Sequence, residues 1–246
     1  MKIAIMQPTY LPWIGYFDLM DQVDVYVFLD NVQFVRGSWQ QRNRIKTPRG
    51  LEWLTVPVYA RGLRSQLIMG TQICEPGFWK KHARAIEHNY RKAPWFQTYW
   101  GLIVKALEEY WQTGLLAELN IGFISMIGDI LGVRTRVIRA STIGVTGKRS
   151  NSLASICQEL GAKEYLAALG SVAYLKDELH EFTSRAIAVA FHNYEHPIYF
   201  QQFPPFLEFA SCIDLLMNEG PKSLEIIRSG RREAFGEVPT QTVSKI

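Results

Sequence analysis

Short apolar runs alternate with amphipathic stretches along most of the chain. An apolar run at residues 3–6 is followed by a helical pattern at 14–20 and by a second apolar run at 23–29. A strand, a helix and a strand in this order form a βαβ unit, which favours a parallel sheet. The alternation returns later, with strands predicted at 135–140, 164–169 and 186–191 and helices at 150–160, 172–180, 207–216 and 221–228.

The middle of the chain carries helical patterns with a candidate hairpin before them. The spacing of residues 46–50 is typical of a hairpin turn, 51–58 alternate as in a strand, and 66–73 are a candidate partner for that strand. The three helical patterns that follow cover 76–90, 95–110 and 115–131.

These elements predict an α/β fold with a mainly parallel sheet flanked by helices, a helical middle segment at 77–131 and an added β-hairpin. Residues 1–230 are predicted to form a single domain, and 231–246 a polar C-terminal tail. The longest apolar stretch, at 121–131, is interrupted by Ser125 and Asp129, and no secretory signal precedes the first strand. We therefore expect a cytoplasmic protein without a membrane span.

The loop between the first strand and the first helix carries side chains that an ordinary turn does not need. In open α/β folds, ligands bind at the carboxyl edge of the sheet, where helix N-termini attract anions. Pro8 and Pro12 fix the backbone of this loop. Its polar and aromatic side chains are candidate ligand-binding groups, namely Gln7, Tyr10, Trp13 and Tyr16. The alternative is a stiff turn with a structural role.

Four loops are predicted to meet at the same edge of the sheet. They follow the predicted strand ends at Met6, Leu29, Ala140 and Leu169. Asp30 opens the second loop and is a candidate for proton transfer, because a carboxylate at a strand end would lie in the cleft. The further ligand-binding candidates in the second and fourth loops are Gln33, Gly170 and Ser171.

The third loop contains a candidate phosphate cradle. Gly147 is followed by Lys148, Arg149 and Ser150 at a predicted helix start, a combination that suits an anion. It is not a Walker A motif, because Arg149 stands where that motif needs Ser or Thr. The alternative is a pair of solvated charges followed by an ordinary N-cap.

A basic segment follows the second strand. Residues 33–50 contain five Lys or Arg and no acid, whereas a solvated surface usually mixes both signs. Guanidinium groups suit phosphates and carboxylates, and a tryptophan can stack on a base or sugar. The candidate ligand-binding residues here are Ser38, Trp39, Arg42, Asn43 and Arg44. The alternative is a charged loop or edge strand.

The histidines near residue 194 are a second source of candidate chemistry. His192 and His196 flank Glu195, but Pro197 and the strand context break the helical spacing that a metal pair would need. We predict no metal site and retain two alternatives for His196, a structural role and a role as general base. Cys157 and Cys212 lie in apolar helical patterns and are predicted to be buried thiols.

Overall composition is that of a globular protein with a modest positive charge. The 246 residues are 48% hydrophobic and 13% aromatic, and the net charge is +4. This charge suits an anionic small ligand, whereas dedicated nucleic-acid binders usually carry larger excesses. Three widely spaced cysteines show no zinc-ligand spacing.

Several long blocks of sequence carry a family resemblance. They lie at 7–18, 28–34, 38–47 and 53–58, with later matches at 147–150, 193–197 and 215–220. These blocks resemble the WbqC-like protein family over nearly the whole chain. The family is bacterial and is often associated with surface-polysaccharide (O-antigen) gene clusters. Many members carry histidine just before the Gln-Pro pair, where this chain has Met6, so the resemblance implies no general base there.

The first turn is also similar, more distantly, to nucleotidyltransferases of the HIGH-motif type. Trp13 and Tyr16 stand where those enzymes have their two catalytic histidines. This second resemblance implies nucleotide binding at the first turn without histidine chemistry.

Together these features predict a transferase that acts on a nucleotide-activated sugar or a related anionic metabolite in surface-polysaccharide biosynthesis. Arginines and lysines would hold the phosphates, aromatic rings would stack on the ligand, and Asp30 or His196 would move a proton. One alternative is a non-catalytic binding or partner protein of a polysaccharide assembly complex, with an apolar patch around 203–206. Another is a single-stranded nucleic-acid binder that uses 36–49. The sequence specifies no cofactor.

Overall fold

A six-stranded sheet forms the centre of the molecule. The computed structural model describes residues 1–63, 65–145 and 149–236. The strands of the sheet are β1 (Lys2–Met6), β2 (Val25–Phe28), β5 (Arg136–Arg139), β6 (Glu164–Ala167), β7 (Ala188–Tyr194) and β8 (Arg231–Phe235). Their order is β5-β2-β1-β6-β7-β8, and all neighbours are parallel except β7 and β8. The predicted parallel sheet is confirmed.

Helices cover both faces of this sheet. They are α1 (Ile14–Asp21), α2 (Phe78–Tyr90), α3 (Phe96–Tyr110), α4 (Leu116–Leu131), α5 (Arg149–Glu159), α6 (Val172–Leu175), α7 (His180–Thr183), α8 (Cys212–Glu219) and α9 (Ser223–Ser229). Side chains alternate between the two faces of a strand, so Ala4 packs into one core and Ile3 and Ile5 into the other. The larger core includes residues of α1–α4, α8 and α9, and the smaller includes α5–α7.

The predicted hairpin and the predicted helical middle are both present. Strands β3 (Arg42–Thr47) and β4 (Gly50–Thr55) form a separate antiparallel pair, in which Thr47 is opposite Gly50. Helices α2, α3 and α4 fill most of 77–131. Helix α4 ends at Gly132, whose φ of +83° is a left-handed conformation that glycine adopts without strain.

Three predicted elements differ in the structure. Residues 66–73 contribute isolated bridges and a short 3-10 turn instead of a strand. The helix predicted at 172–180 is split into α6 and α7. The helix predicted at 207–216 begins only at Cys212, because Phe209 has a φ of +62° and the Ser211 side chain caps the helix by accepting from the Ile213 N–H.

The first part of the predicted tail belongs to the sheet. Arg231–Phe235 pair with β7 as an antiparallel edge strand. Its polar sequence suits an edge position, since several of its side chains are exposed and Arg231 forms ion pairs with Asp18 and Asp21. Residues 237–246 of the predicted tail lie outside the described residues.

Burial agrees with the prediction for two cysteines. Cys157 and Cys212 are buried, and burial raises the pKa of each thiol to about 12. Among the helices described, none has the length and apolar character needed to cross a membrane.

Candidate functional site

The loop after β1 holds the hairpin and helix α8 against the sheet. Tyr10 donates its backbone N–H to the Trp39 carbonyl at 3.0 Å. The Asn43 side chain donates to the Leu11 carbonyl, and the Cys212 N–H donates to the Pro12 carbonyl, each at 2.8 Å. Most of the loop is buried, so much of its polarity satisfies backbone groups of other elements.

Tyr10 and Tyr16 are core residues of this arrangement and do not line a cleft. Tyr10 is fully buried, with its hydroxyl 2.8 Å from Nδ1 of His82. The Tyr16 hydroxyl donates to the Gln7 carbonyl at 3.1 Å. Burial raises the pKa of both phenols above the ordinary value. From the sequence alone both are candidate ligand-binding groups, because no local pattern indicates that their hydroxyls pair with His82 and with the Gln7 carbonyl.

Gln7 and Trp13 are the partly exposed side chains of the same loop. Gln7 accepts a hydrogen bond from Nε2 of Gln40 at 2.8 Å. The Trp13 ring lies over Gly15, where a methyl group would collide with it. It also contacts the rings of Tyr194 and Phe209, with centroids 5.6 and 5.2 Å away. Gln7 therefore faces the segment that carries Trp39, and Trp13 closes an aromatic cluster.

Asp30 connects two of the predicted edge loops. Its carboxylate accepts from the Ser141 N–H at 3.0 Å and from the Ser141 hydroxyl at 2.8 Å. Nε of Arg139 lies 3.2 Å from the same carboxylate, and Asp30 is 1% exposed. The second and third loops thus come together as the parallel sheet requires, but the Asp30 oxygens already have partners within the protein.

The N-terminus of α5, where the phosphate cradle was predicted, holds a carboxylate of the protein. The Ser150 N–H donates to Oε2 of Glu178 at 3.3 Å, and Ser150 is fully buried. Arg149 is 80% exposed and lies 3.8 Å from Glu178. A helix N-terminus attracts anions, and Glu178 fills that role here. Gly147 and Lys148 lie outside the described residues.

The remaining predicted loop residues have local roles. The Ser171 hydroxyl donates to the Ala168 carbonyl at 2.6 Å, next to the exposed Gly170. The Ser38 hydroxyl donates to the Val35 carbonyl at 2.7 Å. Gln33 is exposed and forms an isolated bridge with Leu67.

The outer face of the hairpin brings two arginines and two tryptophans together. Arg42 and Arg44 lie two residues apart on β3 and therefore share a face, and Arg44 is directly opposite Trp53 on β4. The Arg42 guanidinium lies 4.2 Å from the Trp53 ring centroid, and the Arg44 guanidinium 5.4 Å from the centroids of both Trp53 and Trp39. The two indoles are 5.2 Å apart. We call these four residues the Arg–Trp face.

The Arg–Trp face has polar groups without partners. In the described part of the chain, neither guanidinium forms an ion pair or a side-chain hydrogen bond, and the Nε atoms of Arg42 and Arg44 are buried and unpartnered. Burial lowers the pKa of Arg44. An unsatisfied buried donor costs roughly 1–3 kcal/mol, more when it is charged. Trp39 and Trp53 are 46% and 44% exposed, so the face is accessible to a ligand.

His196 lies in the aromatic cluster beside Trp13. Its ring is roughly parallel to those of Trp13 and Tyr199, with centroids 6.1 Å away in each case. Nδ1 lies 2.9 Å from the Pro197 carbonyl and therefore carries the proton of the neutral ring. Nε2 is buried without a partner, and burial lowers the pKa of His196. The imidazole is thus neutral with one free acceptor.

Two features of this region were not identified from the sequence. Trp53 was placed in a strand, but its position opposite Arg44 follows once the hairpin turn at 46–50 sets the register. The other is the buried carboxylate of Asp214, which accepts from the hydroxyls of Tyr90 and Tyr199 at 2.9 and 2.8 Å. No local pattern indicates that cluster, since Tyr90 is 124 positions away.

Within the described ranges, no group of three or more His, Cys, Asp or Glu side chains is arranged to hold a metal ion. The side chains that the structure gathers around the first loop instead form an arginine–tryptophan face and an aromatic cluster. Ser211 connects the two, because its N–H donates to the Arg44 carbonyl at 2.8 Å and it pairs with Trp13 in an isolated bridge.

Comparisons with known proteins agree with the resemblance seen in the sequence. The model of the WbqC-like protein family matches residues 7–226. The uncharacterized protein Rv1507c of Mycobacterium tuberculosis is 33% identical over 232 residues, which cover 94% of this chain and 99% of that protein. No solved structure gives a significant match. With a family model spanning nearly the whole chain and a full-length relative, this protein belongs to the WbqC-like protein family.

Proposed function

We propose that this protein binds a nucleotide-activated sugar or a related anionic metabolite through the Arg–Trp face and acts on it as a transferase in surface-polysaccharide biosynthesis. The observation that carries the proposal is the unpartnered pair of guanidinium groups beside two exposed indoles. Membership of the WbqC-like family supports the metabolic setting.

The chemistry of the Arg–Trp face matches both parts of such a ligand. Guanidinium groups hold phosphate oxygens in bidentate fashion, and an anion beside Arg42 and Arg44 would satisfy donors that the protein leaves open. Indole rings offer a flat apolar surface on which a base or a sugar can stack. Because the strands of the hairpin are fixed by a full ladder of paired residues, Arg42, Arg44 and Trp53 are presented on a rigid element, and Trp39 lies just before it.

For proton transfer we favour His196 over Asp30. Both oxygens of Asp30 accept hydrogen bonds from Ser141, whereas Nε2 of His196 has no partner. A neutral imidazole with a free nitrogen can accept a proton from an attacking hydroxyl, and because Nε2 of His196 is buried, the proposed step requires the surrounding aromatic rings to move aside when the ligand binds. Ser211 links the strand that carries Arg44 to the loop that carries Trp13, which supports one site made from both clusters.

Calorimetric titration with a panel of nucleotide sugars tests the binding step. We expect R42Q/R44Q to weaken binding by at least about tenfold, since each lost charged contact contributes roughly 1.5–3 kcal/mol. The matched control is R134Q/R136Q, which removes two exposed arginines outside the hairpin, one before and one within edge strand β5. Equal binding by wild type and R42Q/R44Q would contradict the proposal.

Turnover tests the transfer step separately. Turnover is measured as loss of the nucleotide-sugar donor, detected by mass spectrometry, with cell extract as the source of acceptor. We expect turnover to require His196, whereas H196Q should still bind the donor. Donor binding without turnover in wild type would favour the non-catalytic alternative. The exposed apolar surface relevant to that alternative centres on Ile198 and Phe200, which are 82% and 57% exposed, more than on 203–206.

Single-stranded nucleic acid is a second candidate ligand. Exposed aromatic rings flanked by arginines on an open β surface are also how such strands are bound without sequence preference. Binding of oligo(dT) that weakens steeply with added salt and is lost in W39A/W53A would favour this candidate over a nucleotide sugar.

A further inference from the structure

Positive charge is concentrated in one part of the chain. Residues 36–92 contain twelve Lys or Arg and three Asp or Glu, a net charge of +9, whereas the whole chain has +4. The hairpin accounts for only some of this charge. Helix α2 and the residues just after it carry much of the remainder.

Helix α2 displays basic side chains along one side. Lys80, Arg84 and His88 recur every four residues, which places them on one face of the helix, and Arg91 follows just beyond its end. All four are exposed. Lys80 and Arg84 are like charges at this spacing and repel one another, which destabilises the isolated helix.

A groove of about 580 Å³ lies between this side of α2 and strand β4. Arg84 and His88 line it from the helix, Arg91 lines it from just beyond the helix end, and Glu52 lines it from the hairpin. Glu52 faces opposite to its neighbour Trp53, because successive side chains of a strand alternate. The groove and the Arg–Trp face are therefore on opposite faces of the hairpin.

The basic side chains of the groove have no anionic partner in the protein as described. Arg84, His88 and Arg91 form no ion pair and no side-chain hydrogen bond with the residues of 1–63, 65–145 and 149–236. Oε1 of Glu52 is taken by Arg49, with N–O distances of 2.8 and 2.9 Å. Glu87 also lines the groove and forms no ion pair with these cations.

We infer that this groove is a second anion-binding site, which takes an oligoanion with several phosphate or carboxylate groups in a row. The guanidinium groups of Arg84 and Arg91 line the groove seven positions apart in the sequence, which matches a ligand whose charges are spaced along a chain, and a guanidinium group can bind either kind of oxyanion in bidentate fashion. The site is independent of the Arg–Trp face, since it shares none of its four residues.

Calorimetric titration with tripolyphosphate and with citrate tests the inference and separates phosphate from carboxylate ligands. At about 20 mM salt we expect one probe or both to bind wild type and R42Q/R44Q. R84Q/R91Q, R84E/R91E and R134Q/R136Q are each compared in the R42Q/R44Q background, so that the Arg–Trp face does not contribute, and there R84Q/R91Q should weaken binding at least about tenfold. Binding should decline at about 200 mM salt, because the cations are exposed. R134Q/R136Q, which removes the same net charge elsewhere, should leave binding unchanged in that background.

Three results would overturn this site. They are the absence of binding of both probes to wild type, equal binding by R84Q/R91Q, and an equal loss in R134Q/R136Q, which would show an effect of overall charge. Loss of all probe binding in R42Q/R44Q alone would assign the anion to the Arg–Trp face. Unchanged thermal unfolding verifies that R84Q/R91Q is folded, and R84E/R91E, which reverses both charges, should abolish binding.

Discussion

The hydroxyl of Tyr10 lies 2.8 Å from Nδ1 of His82, and both side chains are buried. Tyr10 belongs to the loop after β1, and His82 belongs to α2. Their contact joins the carboxyl edge of the parallel sheet to the helical layer, and Phe123 of α4 packs edge-on against the Tyr10 ring. The loop that the sequence marks as a candidate ligand site thus also fixes the hairpin relative to the helices.

His82 should make the protein sensitive to acid. Burial lowers its pKa from 6.5 to about 4, so the folded state binds a proton less readily than the unfolded state. Above about pH 6.5 His82 is neutral in both states, and its full contribution to the free energy of unfolding is present. As pH falls from 6.5 towards 4, the unfolded state takes up the proton first, which lowers the free energy of unfolding by up to about 3 kcal/mol. H82Q should not show this loss. Urea unfolding at a series of pH values measures it.

The matched control for this measurement is H180Q, which changes a histidine that is 73% exposed. Its stability should follow wild type across the same range. If H82Q and wild type lost stability in parallel between pH 6.5 and 4, His82 would not be the group that is responsible.

Asp214 should change the free energy of unfolding in the opposite direction over nearly the same pH range. Burial raises its pKa from 3.8 to about 6, despite hydrogen bonds from Tyr90, Tyr199 and Gln201 that favour the charged form. The contribution of protonated Asp214 to the free energy of unfolding is fully present below about pH 4 and is lost as pH rises through 6. The stability of D214N relative to wild type should therefore increase by up to about 3 kcal/mol from pH 4 to pH 7.

The exposed carboxylate of Asp177 provides the comparison. The difference between D177N and wild type should stay constant with pH. A constant difference for D214N as well would show that Asp214 titrates at its ordinary pKa in the folded protein. Because His82 and Asp214 oppose each other, the wild-type curve alone does not separate them.

Much of the scaffold follows from patterns that are local in sequence. Short apolar runs predict the buried parallel strands, and the three long amphipathic or apolar stretches predict α2, α3 and α4. Strand β8 was predicted as tail because its five residues are mostly polar. Its pairing depends on β7 and on Arg231 contacts with Asp18, a residue 213 positions away, which no local pattern reveals.

The candidate site was predictable to a similar extent. An unmixed basic segment after β2 marks Arg42 and Arg44, and the hairpin register brings Trp53 to them. The predicted phosphate cradle stays a prediction, since Gly147 and Lys148 lie outside the described residues, but Glu178, 28 positions away, already accepts from the Ser150 N–H, and no local pattern indicates that contact. Tyr10 and Asn43 look like ligand groups in the sequence, but their polar atoms complete hydrogen bonds within the fold.

Trp53 should contribute to ligand binding more than to stability. The W53L variant removes the ring that contacts Arg42 and Arg44 but leaves an apolar side chain at a 44% exposed position. We expect the unfolding free energy to change by no more than about 1 kcal/mol and nucleotide-sugar affinity to fall by at least about tenfold. Y59L, which changes a 56% exposed tyrosine, is the control and should leave affinity unchanged.

Gly15 is required by the ring of Trp13, which occupies the space where a side chain would begin. In G15A the indole must leave its position between α1 and the rings of Tyr194 and Phe209, and overpacking of this kind costs about 1–3 kcal/mol. G101A is the matched control, because Gly101 lies in the interior of α3 with open space around it and alanine there should stabilise the helix by about 0.5–1 kcal/mol. The midpoint of thermal unfolding should therefore fall for G15A and rise for G101A. Equal shifts of the two midpoints in the same direction would show that the Trp13 contact does not determine the residue at position 15.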